Sequence, residues 1–181
     1  TRSEIIETCK LTSGGYTTQL LDELKESGFI TPYVPFGKTS KDSIYKLTDE
    51  YSLFYIKFIE NSRARGQGTW LMFSTGTSWK SWSGIAYESI CMKHIDQIKS
   101  AIGIKNVYAE VSVWRYQPKS TNEQGTQIDM LIDRADRCIN LCEMKFASDT
   151  FEVTKAYAKE LDNKLKIFQA QTKTKKSLFM T

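Results

Sequence analysis

The stretch GTQIDMLIDRADRCINLCEMKF, residues 125–146, decides how this chain is read. Two apolar runs are each interrupted by charge: Asp129 breaks the first, and Glu143 and Lys145 break the end of the second. Side chains alternate across a strand, so Gln127, Asp129, Leu131 and Asp133 share one face of the first segment. Ile139, Leu141, Glu143 and Lys145 likewise share a face of the second. A turn at Ala135-Asp136-Arg137, with Arg134 opposite Cys138, places Asp129 opposite Glu143. Directly opposed residues on one face have Cβ atoms roughly 4.5–5.5 Å apart. Two carboxylates that close repel unless one is protonated or a cation lies between them. Mg²⁺, or Mn²⁺ in its place, suits such an oxygen-rich position, held by Asp129, Glu143 and the backbone carbonyl of Met144. Lys145 on the same face would orient or activate a water and offset charge on phosphorus. The chemistry expected is in-line hydrolysis of a phosphodiester. The bland alternative is a salt bridge at an exposed strand end.

Outward from this stretch, the order expected is helix (83–102), strand (107–116), strand (126–133), strand (138–146), helix (154–171) and strand (177–181). On the first helix, residues 88, 91, 95, 98 and 102 form one stripe, and Glu88 is its one charged member among Cys91, Ile95, Ile98 and Ile102. A carboxylate on a packed stripe is costly without a partner. Residues 61–82, rich in Gly, Ser and Thr, read as a linker, with Trp70, Leu71, Met72 and Phe73 packing onto a neighbour. Residues 1–60 read as a short helix, a second helix carrying Leu20, Leu21 and Leu24, and two strands around the turn GKTSKD. The aromatic run EYSLFYIKFIEN then reads as a docking helix. The GKTS at 37–40 imitates a phosphate-binding loop, but Pro32 stands where the first glycine must be; no ATP site is expected in this chain.

The D129…E143-M-K145 pattern on paired strands, in the order αβββαβ, resembles the PD-(D/E)xK nuclease core over residues 83–181. That resemblance implies Asp129 and Glu143 as metal ligands and Lys145 as the catalytic lysine. It also implies a glutamate near the metal on the first helix, a role that falls to Glu88. The proline of the family name is absent; Ile128 precedes the aspartate. Residues 1–60 resemble a winged helix-turn-helix. Together the stretches KLTSGGYTTQLLDELKESGFI, IYKLTDEYSLFYIKFIE, GIAYESIC and QIDMLIDRADRCINLCEMKF resemble the C-terminal part of a prokaryotic, archaeal-type AAA ATPase. In that family a winged helix and a nuclease-like domain follow the ATPase domain. The chain, opening on Thr1 within a helical pattern, is expected to be a piece of such a protein whose N-terminal ATPase domain lies outside it.

Charge is uneven. Residues 1–60 hold 7 Lys/Arg against 9 Asp/Glu, and residues 61–181 hold 18 against 12. A polyanion should therefore prefer the second part. DNA is the partner expected, with contacts from Thr17, Thr18 and Gln19 on the second helix and Lys38 and Lys41 in the hairpin turn. Against this, Asp22, Glu23 and Glu26 on the same helix repel phosphates. The run TKTKK, residues 172–176, adds Lys173, Lys175 and Lys176 at the edge of the proposed site. His94, the single histidine, reads as a packed helix residue rather than a ligand, and the four cysteines read as buried reduced thiols. With no run of membrane-spanning length and no signal peptide, a cytoplasmic protein is expected. The competing reading of function is a non-catalytic DNA- or protein-binding regulatory module. RNA as the substrate also fits these residues.

Overall fold

The structure, a computed structural model, describes residues 1–64, 66–118 and 124–181. It is mixed α/β, with seven α-helices among the described residues and a mixed four-stranded sheet. The chain divides into two compact units. The first comprises Thr1–Val34 and Lys38–Lys93, and the second Pro35–Gly37 and His94–Thr181.

In the first unit, α1 (Arg2–Thr8) opens on a capping box between Thr1 and Glu4. Helix α2 (Gly15–Glu26) buries Thr17 and Leu21, one turn apart. Past its C-terminus Gly28 takes φ 77°, a conformation that favours glycine. Strands β1 (Ile30–Tyr33) and β2 (Ile44–Leu47) pair antiparallel, from Ile30 opposite Leu47 to Tyr33 opposite Ile44. Asp49 caps α3 (Glu50–Phe54) by accepting the Ser52 N–H at 2.7 Å, and a π-helical turn, Tyr55–Ile59, extends it. The segment read as a linker is partly helical: α4 spans Thr69–Ser74, and α5 (Thr77–Lys93) starts within it. Arg65 of that segment lies outside the described residues. Trp70, Phe54, Phe58, Trp79 and Trp82 form a ring cluster with centroids 4.9–6.4 Å apart. Leu71 and Met72, expected to pack beside Trp70, are exposed.

The second unit begins its regular structure with α6 (Ile95–Ala101), then β3 (Ala109–Tyr116), β4 (Thr126–Arg134), β5 (Cys138–Cys142), α7 (Lys155–Thr172) and β6 (Ser177–Met180). Strand order is β3-β4-β5-β6; the first two pairings are antiparallel, and β5 and β6 run parallel across the α7 connection. Apolar residues of β4 and β5 supply the core: Ile128, Leu131, Ile139 and Leu141 are buried with Trp114 and Phe168. Phe168 of α7 meets Trp114 edge-on at 5.0 Å and Phe36 at 5.4 Å. The α7 stripe Leu161, Lys164, Leu165, Phe168 follows helical spacing, and Phe168 pins it to the sheet face carrying Leu131, Ile139 and Leu141.

The strand order of the C-terminal part is the one expected, but the helix before it and the end of β5 differ. The helix expected over 83–102 is two: it breaks at His94 (φ −112°, ψ 34°), which caps α6. Strand β5 ends at Cys142, not at Phe146. There the Met144 N–H donates to the Asp129 carboxylate at 3.0 Å, and the Glu143 N–H to the Thr181 carbonyl at 3.0 Å. A side chain has taken the amide that a longer β4–β5 ladder would have used. None of the four cysteines forms a disulfide; Cys142 is buried, whereas Cys9 is exposed. Among the described residues no helix is long and apolar enough to cross a membrane.

Candidate functional site

The β4–β5 register pairs Met130 with Cys142, Leu131 with Leu141, Ile132 with Asn140 and Asp133 with Ile139. The pairing stops at Met130 and Cys142, and Asp129 and Glu143, the next residues beyond it on the two segments, line one cavity. Both side chains lie on the face that α7 covers. Asp129 is 9% exposed, and its Oδ2 accepts the Met144 amide. The Glu143 side chain is 7% exposed and sits between two ammonium groups. Lys164 Nζ donates to its Oε2 at 2.7 Å, and Lys145 Nζ lies 3.0 Å from its Oε1. The Lys145 ammonium also stands over the Tyr157 ring, 5.8 Å from its centroid.

The electrostatics are not relaxed, although two acids meet two bases. Burial pushes the Asp129 carboxyl above the ordinary carboxylate range; the Met144 hydrogen bond opposes this, and the Glu143 charge adds to it. The two lysines bring Asp129 back only in part. For Lys145, burial pulls the ammonium down, but the hydrogen bond and charge of Glu143 outweigh it and leave the group above its ordinary value. In the metal-free chain Lys145 is therefore a cation. The Tyr157 hydroxyl, raised by burial and then by the Glu143 charge, is buried with no hydrogen-bond partner in the structure.

These groups border a polar cavity of about 270 Å³, whose walls include Gln124, Gln127, Asn163 and Glu160 beside the four charged residues. The donor set is hard oxygen, as Mg²⁺ or Mn²⁺ prefers. Asp129 is also held at an unfavourable charge that a further cation would relieve. The residues present fit a divalent ion. Among the described residues no three His, Cys, Asp or Glu side chains gather as a metal cluster, so such an ion would rest on two carboxylates and a backbone oxygen.

None of the other expected site residues lines this cavity. Glu88 stands on α5 in the first unit, with its carboxylate 3.7 Å from Lys46 Nζ of β2. The stripe that drew attention to it is not continuous, because Ile95, Ile98 and Ile102 follow the break at His94. Thr17 is fully buried and donates its hydroxyl to the Thr12 carbonyl at 2.6 Å, so it has no surface to offer a phosphate. Thr18 and Gln19 are exposed; Gln19 donates to Glu23 at 2.8 Å. Lys38 and Lys41 are exposed between β1 and β2. Lys173 and Lys175 are exposed, and Lys176 is bound to Asp133 and to the Arg134 carbonyl. Ser177 pairs with Cys138, so Lys176 is six residues before the level of Glu143. At strand spacing that is roughly 20 Å along the sheet. The run TKTKK is thus at the opposite end of β5 from the carboxylates, not at their edge.

Lys164 and Tyr157 were missed by the sequence reading. Their signal was present: both fall on the apolar stripe of α7 with Leu161, Leu165 and Phe168, where a lysine needs a buried partner. Comparison with protein-family models, curated proteins and solved structures returns no match.

Proposed function

We propose that the second unit is a PD-(D/E)xK nuclease-like domain that hydrolyses phosphodiester bonds of DNA with Mg²⁺ or Mn²⁺, and that the first unit is a winged helix-turn-helix that holds the DNA. The observation that carries this reading is the convergence of Asp129, Glu143 and Lys145 on one polar cavity. Asp129, Glu143 and the Met144 carbonyl would hold the ion. When bound, the ion lowers the pKa of a water and polarises a phosphate oxygen.

The remaining work falls to the chain's own groups. Lys145, 3.0 Å from the Glu143 carboxylate, would orient the attacking water, take up its proton or balance the negative charge developing on the phosphate. In the metal-free chain Lys164 donates to the Glu143 carboxylate from the helix side. In the first unit, Lys38 and Lys41 of the hairpin turn and the exposed Thr18 and Gln19 are the groups for the DNA backbone. By the same resemblance, an AAA-type ATPase domain of the parent protein would control the cleavage or move the DNA.

The test is nicking of supercoiled plasmid by the purified chain with Mg²⁺ or Mn²⁺. Cleavage lost in Lys145→Ala, with folding retained, supports the reading; equal cleavage by both proteins refutes it. One observation favours a second reading, a non-catalytic regulatory module: both Glu143 oxygens already meet an ammonium. Such a module would bind DNA without cutting it.

A further inference from the structure

Glu143 is the point where the structure and a metal-holding role compete. Its carboxylate is nearly sealed, and each oxygen faces one ammonium, at 2.7 and 3.0 Å. The two lysines differ in kind. Lys145 lies on the chain just past β5, 45% exposed, and meets water as well as Glu143. Lys164 is 16% exposed and rises from the middle of α7, four residues before Phe168, whose ring is locked in the core. An ammonium so placed has little water to compensate it if Glu143 is lost. Each Glu143 oxygen already carries one ammonium, so a divalent ion that coordinates it from the cavity competes with these cations for its charge.

We propose that Lys164 is the resident counter-cation of this site: it neutralises Glu143 in the metal-free protein and gives up that carboxylate when a divalent cation binds. This rests on the reading of Asp129 and Glu143 as a metal pair, and it gives that site a regulation of its own. The acid pair is kept charge-balanced and folded without metal. Metal binding is weakened by the ion pair that has to open, because two ligands that exclude each other on one group are coupled negatively. The Lys164 ammonium, once released, remains on the wall of the cavity that Asn163 and Gln124 also line. A position merely supporting Glu143 would behave in the opposite way: without Lys164 the carboxylate would wander, and metal would bind less well.

Titration calorimetry with Mn²⁺ on the full chain separates these cases. Lys164→Met should bind Mn²⁺ about tenfold more tightly than the parent, a typical size for such coupling; Lys164→Arg should stay near the parent. Unchanged or weaker binding by Lys164→Met overturns the proposal while leaving the metal site standing. Failure of the parent chain to bind Mn²⁺ at all overturns both. A second measurement needs no variant: amine-reactive labelling read by mass spectrometry. Mn²⁺ should raise labelling of Lys164 several-fold, while Lys166 on the same helix, 69% exposed, stays constant. Labelling of Lys164 that ignores saturating Mn²⁺ overturns the exchange.

Discussion

Replacing Phe168 by alanine is the perturbation that reaches both the fold and the site. Its side chain is fully buried, and it contacts the rings of Trp114 and Phe36 within a cluster that includes Leu131, Ile139 and Leu141. Phe→Ala at closed core positions costs about 3–5 kcal/mol. Two ring contacts and full burial put this site in the middle of that range, about 4 kcal/mol. Small domains hold about 5–15 kcal/mol in all, so the second unit would become marginal. For a unit of this size the loss corresponds to a melting temperature lower by roughly 15–30 °C. Phe168→Leu keeps most of the apolar contact and should cost only about 1–2 kcal/mol. Hydrogen exchange in a urea series, read on peptides covering 128–142, measures the second unit alone. Peptides of α2 and α3 in the first unit serve as the internal control. The reasoning fails if Phe168→Ala loses less than about 1 kcal/mol, or if alanine and leucine loosen the sheet equally.

The remaining predictions concern single polar groups. Burial holds the folded Asp129 carboxyl above its ordinary value. Its contribution to stability is therefore full below the unfolded pKa of about 3.9 and is lost as pH rises through the folded value. Asp129→Asn should then be the more stable protein at pH 7 without metal, and its advantage should shrink toward pH 4; urea midpoints across this range check it, and an advantage that widens in acid contradicts it. Thr17→Ala strands the Thr12 carbonyl and should cost the first unit about 1–3 kcal/mol. The exposed neighbour change Thr18→Ala should stay within about 0.5 kcal/mol, and denaturant titration followed by the tryptophans of the first unit reads both.

The sheet was legible because its information is local. The turn at Ala135–Arg137 and the alternation of Ile, Leu and Met fix the β4–β5 register, and with it the meeting of Asp129 and Glu143. The end of β5 was not legible, because a side chain decides it: Asp129 accepts the Met144 amide, and no pattern of hydrophobicity reports that. The break at His94 was hidden for a related reason. The apolar spacing runs on through it, from Cys91 to Ile95 and Ile98, while the backbone turns. Thr17 looked like surface because its neighbours Tyr16, Thr18 and Gln19 are polar and exposed. It lies one turn before Leu21, on the side that packs inward. Lys164 was readable in principle, as a charge on the stripe that ends in Phe168. What sequence could not supply was its partner, 21 residues earlier in the chain.

The central claim is that Asp129 and Glu143 were brought together to hold a divalent ion. Anomalous diffraction from crystals soaked in Mn²⁺ tests it most directly. The account predicts a manganese peak within about 2.0–2.4 Å of oxygens from both residues, with the Lys164–Glu143 contact opened. A peak bound elsewhere, or none while both lysines still hold Glu143, would contradict it.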